Sequence, residues 1–279
     1  MPILKDFKFH SPDSLSQALA ILEKAESPML LAGGTFVLNT LKKSSRYPTD
    51  VISLKKVSEL KGIKTQDNEL WIGSMTRIDE LAGSKLISDA FSCLKEAALK
   101  LGATPIRNMA TIGGNIASRF YWVDLPAVLI ALGARLEVAL DGDKRLVGLT
   151  DFLTEKQHKK AILTGIILPL EKRDARYFRH TRTVQEVDAP YLGLAFSYVD
   201  KNMRPSNIRA VVNTTLSFPV FLKRAASMLE GTGYQKAAFE DIRAAVLQDV
   251  STTKLDQHRI QLLCADMEIV LASLKKKYA

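Results

Sequence analysis

Two short glycine clusters hold the residues best suited to chemistry: Ala32-Gly33-Gly34-Thr35 and Thr111-Ile112-Gly113-Gly114-Asn115. Each joins paired glycines to a hydrogen-bonding side chain, and each lies beside an apolar run. Without a Cβ, backbone N–H groups can approach an anion closely and converge on it. Two such loops, far apart in sequence, suit a diphosphate held from two sides, and a dinucleotide is the natural candidate. Neither cluster is a G-x-G-x-x-G fingerprint or a G-x-x-x-x-G-K-[ST] loop, so ordinary Rossmann and P-loop chemistry are not indicated. Read alone, the first cluster is more simply a tight strand-to-helix turn. The second extends from Ile106 to Ala117 and interleaves Arg107, Asn108, Thr111 and Asn115 with apolar residues, more polar groups than a plain loop needs.

Asp124 follows shortly after and is a suitable acceptor for ribose hydroxyls; its simpler role is to cap a helix beginning near Leu125. The remaining reactive residue types form no constellation. His10, His158, His180 and His258 are scattered without ligand spacing, and no Ser/His/Asp set or carboxylate pair stands out. The expectation is no catalytic residue and no metal ligand in this chain, with any redox chemistry belonging to a cofactor.

These loops need elements to hold them. Ser11 and Pro12 open a first helix striped by Leu15, Ala18, Leu19 and Leu22. Met29 to Ala32 reads as a short buried strand running into Gly33-Gly34, and Thr35 to Lys43 as a turn or helix leaving it. Val51 to Leu54 is a strand, and Ile63 to Gly73 a hairpin turning at Asp67-Asn68. Ile78 to Leu101 reads as largely helical and closes at Gly102 just before the second cluster, which itself reads as a loop. Leu125 to Leu132 is helical, while Arg135 to Leu140 and Ile162 to Leu168 are strands. Pro169 and the charged stretch Glu171 to Arg176 suggest a boundary. Strands at Tyr191 to Val199 and Ile208 to Thr214 then precede helices at Val220 to Leu229, Phe239 to Gln248 and Asp256 to Lys276, the order of an α+β module.

Composition bounds the rest. With 279 residues, 47% hydrophobic and 25% charged, the chain suits two soluble domains or subdomains. No signal peptide and no membrane-spanning run is expected. Cys93 and Cys264 lie in helix-like stretches, pointing to a cytoplasmic protein with reduced thiols. Two cysteines cannot hold an iron–sulfur cluster alone, because such clusters ordinarily take four protein ligands. The net charge of +9 is spread along the chain apart from Lys275-Lys276-Lys277 at a helix end. No zinc-finger spacing, RNP-like motif or arginine stripe accompanies it, so no nucleic-acid partner is expected.

The run Arg107 to Ala117 resembles the R-N-x-A-T-I-G-G-N-I-A signature of the FAD-binding medium subunit of molybdenum hydroxylases, the xanthine dehydrogenase, carbon monoxide dehydrogenase and aldehyde oxidase type. Further matches occur in the right order. Leu31 to Thr35 resembles the family's first flavin loop, Leu70-Trp71-Ile72-Gly73-Ser74 its L-x-I-G-A element, and Asp124-Leu125-Pro126 its D-x-P segment. Leu163 to Pro169 is similar to its I-x-x-P strand, and Ser251 to Arg259 to its S-x-x-Y-R stretch with His258 in place of tyrosine. Phe36 stands where relatives often have Asp or Ser. Ser118 to Val123, with Arg119, Phe120, Tyr121 and Trp122, replaces a small, Pro-containing stretch. Its aromatics could stack on the cofactor, though packing or a subunit contact is the simpler role.

The resemblance implies an α+β fold. A two-subdomain FAD-binding domain of the vanillyl-alcohol-oxidase/PCMH type would occupy 1–172, with subdomains of about 1–55 and 56–172. A small α+β C-terminal domain would occupy 173–279. It implies FAD as cofactor, held by Ala32, Gly33, Gly34, Thr35 and Phe36 through backbone amides, by Thr111, Gly114 and Asn115 from the second loop, and by Asp124. Arg179 and Arg182 resemble basic residues near the flavin ring. It implies a hetero-oligomer with a molybdopterin-containing large subunit and a 2Fe-2S small subunit. Electrons would pass through FAD to NAD+ or another acceptor. The lack of a cysteine-rich insertion separates the chain from the 4-hydroxybenzoyl-CoA reductase branch. A stand-alone FAD oxidoreductase and a scaffold subunit with a decayed flavin site are the alternatives.

Overall fold

The computed structural model describes residues 6–37, 41, 47–87, 89–120, 123–154, 160–181, 190–213, 216 and 218–279. The chain forms two compact units that interleave in sequence. The first takes the chain up to Leu86 together with Ala103–Ser118 and Arg135–Leu168; the second takes Ile87–Gly102, Arg119–Ala134 and Pro169–Ala279. The fold class is α+β, as expected.

In the first unit, β1 (Lys8–His10), β2 (Pro28–Leu31) and β3 (Asp50–Ser53) form a parallel sheet in the order β1-β3-β2. Helix α1 (Leu15–Lys24) lies between β1 and β2 in the chain. Its cap is Ser14, which accepts from the Gln17 N–H at 3.3 Å, so the helix begins later than the Ser11-Pro12 signal indicates. Ala18 and Leu22 of α1 join Ile52, Leu54, Val57, Leu60, Met75 and Ile162 in a buried core.

A second sheet, in the order β4-β5-β8-β6-β7, contains β4 (Ile63–Gln66), β5 (Glu69–Gly73), β6 (Arg135–Leu140), β7 (Asp143–Gly148) and β8 (Ile162–Pro169). Both of its tight hairpins turn on residues with positive φ, Asp67-Asn68 and Asp141-Gly142, the requirement of type I′ turns. Gly165 in β8 leaves room for the Trp71 indole, whose Nε1 would lie 2.3 Å from an added Cβ.

Three short helices complete the first unit before β6: α2 (Ile78–Gly83), then, after the excursion into the second unit that includes α3 (Ser92–Leu99), α4 (Thr104–Arg107) and α5 (Ile112–Ala117). The expected continuous helix over 78–101 is therefore broken, and its two halves serve different units. Helix α6 (Leu125–Ala131) belongs to the second unit, and α7 (Leu149–Thr154) to the first.

The second unit is built on an antiparallel sheet of β9 (Asp174–Thr181), β10 (Pro190–Asp200), β11 (Pro205–Asn213) and β12 (Val220–Phe221). Helices α8 (Lys223–Leu229), α9 (Gly233–Lys236), α10 (Phe239–Asp249) and α11 (Gln257–Lys277) follow. They share a core with the sheet that includes Leu194, Phe196, Val212, Leu222, Ile242, Val246, Leu263, Met267 and Val270. Helix α6 is buried along its whole length and packs on β10 and β11, and α3 packs on β9. Strand β10 thus meets protein on both faces, which explains its unbroken apolar run.

The chain passes for the last time into the second unit at Leu168–Pro169. The stretches 87–102 and 119–134 do not follow the expected contiguous division. The reason is burial: α3 and α6 have apolar faces that β9, β10 and β11 cover. The charged stretch expected as a linker at 171–176 instead enters β9.

Candidate functional site

Both glycine clusters lie in the first unit, and its fold brings them together. Gly33 follows the carboxyl end of β2, the position where open sheets with parallel strands bind ligands. A Cβ added at Gly33 would lie 2.1 Å from the Met109 carbonyl oxygen, and one added at Gly114 would lie 3.6 Å from the Ala32 Cβ. The loops are therefore in direct contact at two places. Gly113 is needed for a third: its Cβ would lie 2.6 Å from the Ser74 Cβ and 2.7 Å from the Ser74 carbonyl oxygen. Glycines 33 and 113 serve close approach between segments of the protein, a role that the anion argument did not anticipate.

The two loops spend their N–H groups differently. Among the described residues, no acceptor is paired with the backbone N–H groups of Gly33, Gly34 and Thr35, nor with the Thr35 hydroxyl. Gly34 has φ +80°, and a left-handed residue after one of ordinary φ turns successive N–H groups toward one side, an anion-binding nest. The second loop is a helix start rather than a loop. Thr111 is the N-cap of α5, and its hydroxyl accepts from the Gly114 N–H at 3.1 Å. Ile112 N–H donates to Thr76 O at 3.0 Å, Gly113 N–H to Ser74 O at 2.9 Å and Asn115 N–H to Thr111 O at 2.9 Å. What this side offers is the hydroxyl proton of Thr111 and the Asn115 side chain, whose Oδ1 is buried without a hydrogen-bond partner.

Phe36, the last residue of the first expected set, is 44% exposed. Met109 on the touching segment is 47% exposed.

Asp124 and Arg179 lie in the second unit and are brought together there. The Arg179 Nε donates to Asp124 Oδ2 at 3.0 Å, with both side chains buried, and the Tyr177 hydroxyl donates to Asp124 Oδ1. Burial first, and the adjacent carboxylate second, hold the Tyr177 phenol well above the usual tyrosine range. Asn213 Nδ2 donates to the Val123 carbonyl at 3.1 Å. Gly193 makes space for this network, since a Cβ there would lie 2.6 Å from the Tyr177 hydroxyl and 3.2 Å from Asn213 Nδ2. The expected capping role of Asp124 is not found: its side chain makes no cap hydrogen bond to α6, because Arg179 and Tyr177 claim it. Sequence reasoning missed Tyr177, Gly193 and Asn213; the alternating aromatic and charged residues of β9 were the available signal.

Arg182, Tyr121 and Trp122 lie outside the described residues. Among the described residues, no group of histidine, cysteine and acidic side chains could hold a metal ion. Cys93 is buried, which pushes its thiol up to about 12 and makes it a poor nucleophile. No helix among the described residues is long and apolar enough to cross a membrane.

Comparison with known proteins gives the site its context. Residues 5–171 match the family described as FAD binding domain in molybdopterin dehydrogenase. The carbon monoxide dehydrogenase medium chain of Afipia carboxidovorans is 26% identical over 260 residues, covering 91% of this chain and 89% of that one. The nicotinate dehydrogenase FAD-subunit of Eubacterium barkeri is 27% identical over 245 residues, covering 82% of this chain and 81% of that one. Among solved structures, carbon monoxide dehydrogenase from Hydrogenophaga pseudoflava gives a TM-score of 0.86 at 22% identity, over 99% of both chains. That likeness shows the fold. With more than half of its length matched, the chain belongs to the family of FAD-binding domains of molybdopterin dehydrogenases, subunits of oxidoreductases.

Proposed function

We propose that this chain is the electron-transfer subunit of a molybdenum hydroxylase complex and that the first unit holds the FAD diphosphate on the N–H groups of Gly33, Gly34 and Thr35. The observation that carries the reading is that row of three N–H groups without acceptors, with a buried Asn115 Oδ1 that also lacks a partner on the loop that touches theirs. Gly33 is buried and Gly34 and Thr35 are half-buried, and a buried polar atom such as Asn115 Oδ1 is normally paired, so these positions are suited to a ligand that supplies acceptors to the first and a hydroxyl donor to the second. The residues fit FAD on that test: the loop offers donors where a diphosphate has oxygens, and the Asn115 amide is an acceptor suited to a sugar or ribitol hydroxyl. Neutral N–H dipoles fixed in place can balance two negative charges without a lysine.

The tasks of this chain's residues follow. Gly33 keeps the two loops in contact, Gly34 turns the N–H groups toward one side, Thr35 and Thr111 can each donate a hydroxyl proton, and Asn115 orients a hydroxyl. Phe36 and Ala32 complete the cofactor-binding set with Gly114, whose missing side chain leaves the space in front of Ala32 open. Asp124 and Arg179 form a mutually neutralised pair within the second unit. FAD, when bound, supplies two-electron chemistry that also accepts electrons singly.

The names of the relatives support the assembly. Medium chains and FAD-subunits of carbon monoxide, nicotinate and glyceraldehyde dehydrogenases imply companion chains, here a molybdopterin-containing large subunit and a 2Fe-2S small subunit. Electrons would arrive from the iron–sulfur clusters and leave to NAD+ or another acceptor, in the cytoplasm. The test is metal analysis and stopped-flow spectroscopy of the complex isolated from its native source through this chain. Molybdenum, iron and FAD in one assembly, with flavin bleaching after iron–sulfur reduction, is the expected result. An assembly lacking molybdenum and iron would contradict the electron-transfer role.

A further inference from the structure

Two partly exposed apolar residues lie on the two segments that meet at the unpaired N–H groups. Phe36 follows Thr35 directly and is 44% exposed, and Met109 is 47% exposed on the segment whose carbonyl touches Gly33. Isolated exposed apolar residues are ordinary on protein surfaces. These two are not isolated: Phe36 is three positions after Gly33, so its Cα lies within roughly 10 Å of the Gly33–Met109 contact. Each of two touching segments thus places one large apolar group beside the same anion nest.

We propose that Phe36, with Met109, forms a lip that takes an aromatic ring of the bound dinucleotide, making Phe36 a cofactor-contact residue and a determinant of dinucleotide over simple anion binding. The inference rests on the FAD reading above. A nest of N–H groups alone accepts any phosphate; an adjoining apolar lip rewards only a ligand that carries a ring next to its phosphates. The chemistry on both sides is suited to such a contact, since an aromatic ring stacks on a phenyl group and a thioether sulfur packs against ring edges. The lip also keeps water from the nest, which strengthens each N–H to phosphate hydrogen bond.

The experiment compares the full chain with its Phe36→Ala, Phe36→Tyr and Met109→Ala variants, using FAD, FMN, ADP and inorganic pyrophosphate as separate probes. Binding is followed by flavin absorbance and fluorescence and by calorimetry. Phe36→Ala should weaken FAD by about two- to tenfold, the worth of one aromatic contact, and Phe36→Tyr should restore it. Pyrophosphate affinity should not change. Because Phe36 is less than half exposed, Phe36→Ala also loses packing within the fold, and the unchanged pyrophosphate affinity is what separates ligand contact from folding. A matching loss for ADP with FMN unaffected identifies the ring as adenine, and the reverse identifies the flavin; either supports the lip. Unchanged FAD affinity in Phe36→Ala, with the parent binding FAD, overturns the lip and leaves the nest intact. Failure of the parent to bind FAD or pyrophosphate overturns the nest itself.

Discussion

Replacing Gly33 by alanine tests the joint between the two loops. Gly33 does not need a left-handed φ, so the alanine costs nothing in backbone conformation, and its whole effect is contact. The added Cβ would sit 2.1 Å from the Met109 carbonyl oxygen and 2.8 Å from its carbon, both backbone atoms that no rotamer change can move. Ordinary carbon–oxygen contact needs roughly 1 Å more, so the segments must part, and overpacking of this kind costs about 1–3 kcal/mol. If that strain is relieved by opening the loops, it falls on FAD affinity, where about 1.4 kcal/mol is tenfold. The prediction is FAD affinity weakened by roughly five- to one-hundred-fold, with a melting temperature lowered by several degrees at most. Gly114→Ala is a milder change at the same joint: its Cβ would meet the Thr111 Oγ1 at 3.0 Å and the Ala32 Cβ at 3.6 Å, so a smaller loss of FAD affinity is expected than for Gly33→Ala. Fluorescence titration with FAD and thermal unfolding of both variants give the answer. Gly33→Ala with parental affinity and parental melting temperature would refute the joint.

Three further outcomes follow from the same geometry. Asn115→Ala should weaken FAD without lowering the melting temperature, because its Oδ1 makes no hydrogen bond within the fold; isothermal titration paired with a melting curve checks this. Arg179→Ala should destabilise the second unit by about 3–5 kcal/mol in urea unfolding, since it leaves the Asp124 carboxylate buried without its cation; a change under about 1 kcal/mol would count against the pair. Stability should also fall as pH rises past about 10, because Tyr177 keeps its proton longer in the folded chain than in the unfolded one. Its neutral-form contribution is complete below the unfolded pKa and is lost through the higher folded pKa; in Tyr177→Phe that slope should shrink, as urea midpoints from pH 8 to 11 will read.

Local signals reported well on elements whose turn chemistry is strict. Asp67-Asn68 and Asp141-Gly142 occupy the positive-φ turns that such residues tolerate, and Asp256 caps α11 through the Arg259 N–H at 2.9 Å. The shared chemistry of the two glycine clusters suggested one ligand held from two sides, but not that the clusters touch each other directly. Three other features were not legible. Gly113-Gly114 inside α5 argued against a helix, because glycine is a poor helix former; tertiary contact with Ser74 overrides that preference. Strand β9 hid in a charged stretch because Asp174, Arg176, Arg179 and His180 carry its polar partners while Tyr177 and Phe178 pack inward. The break in the helix over 78–101 was invisible because both halves keep apolar residues at helical spacing, and only burial in different units separates them. The assignment of Asp124 illustrates the same limit: its sequence position before α6 suggests a cap, and the residues that claim it come from 53 and 55 positions away.

The central claim, that the nest at Gly33–Thr35 holds FAD, is tested most directly by the visible spectrum of the purified chain and the identity of the cofactor it releases. The purified chain should be yellow, or become yellow on adding FAD, should release one FAD per chain on denaturation, and should hold it more weakly in Gly33→Ala. A colourless chain that takes up no FAD on reconstitution would contradict it.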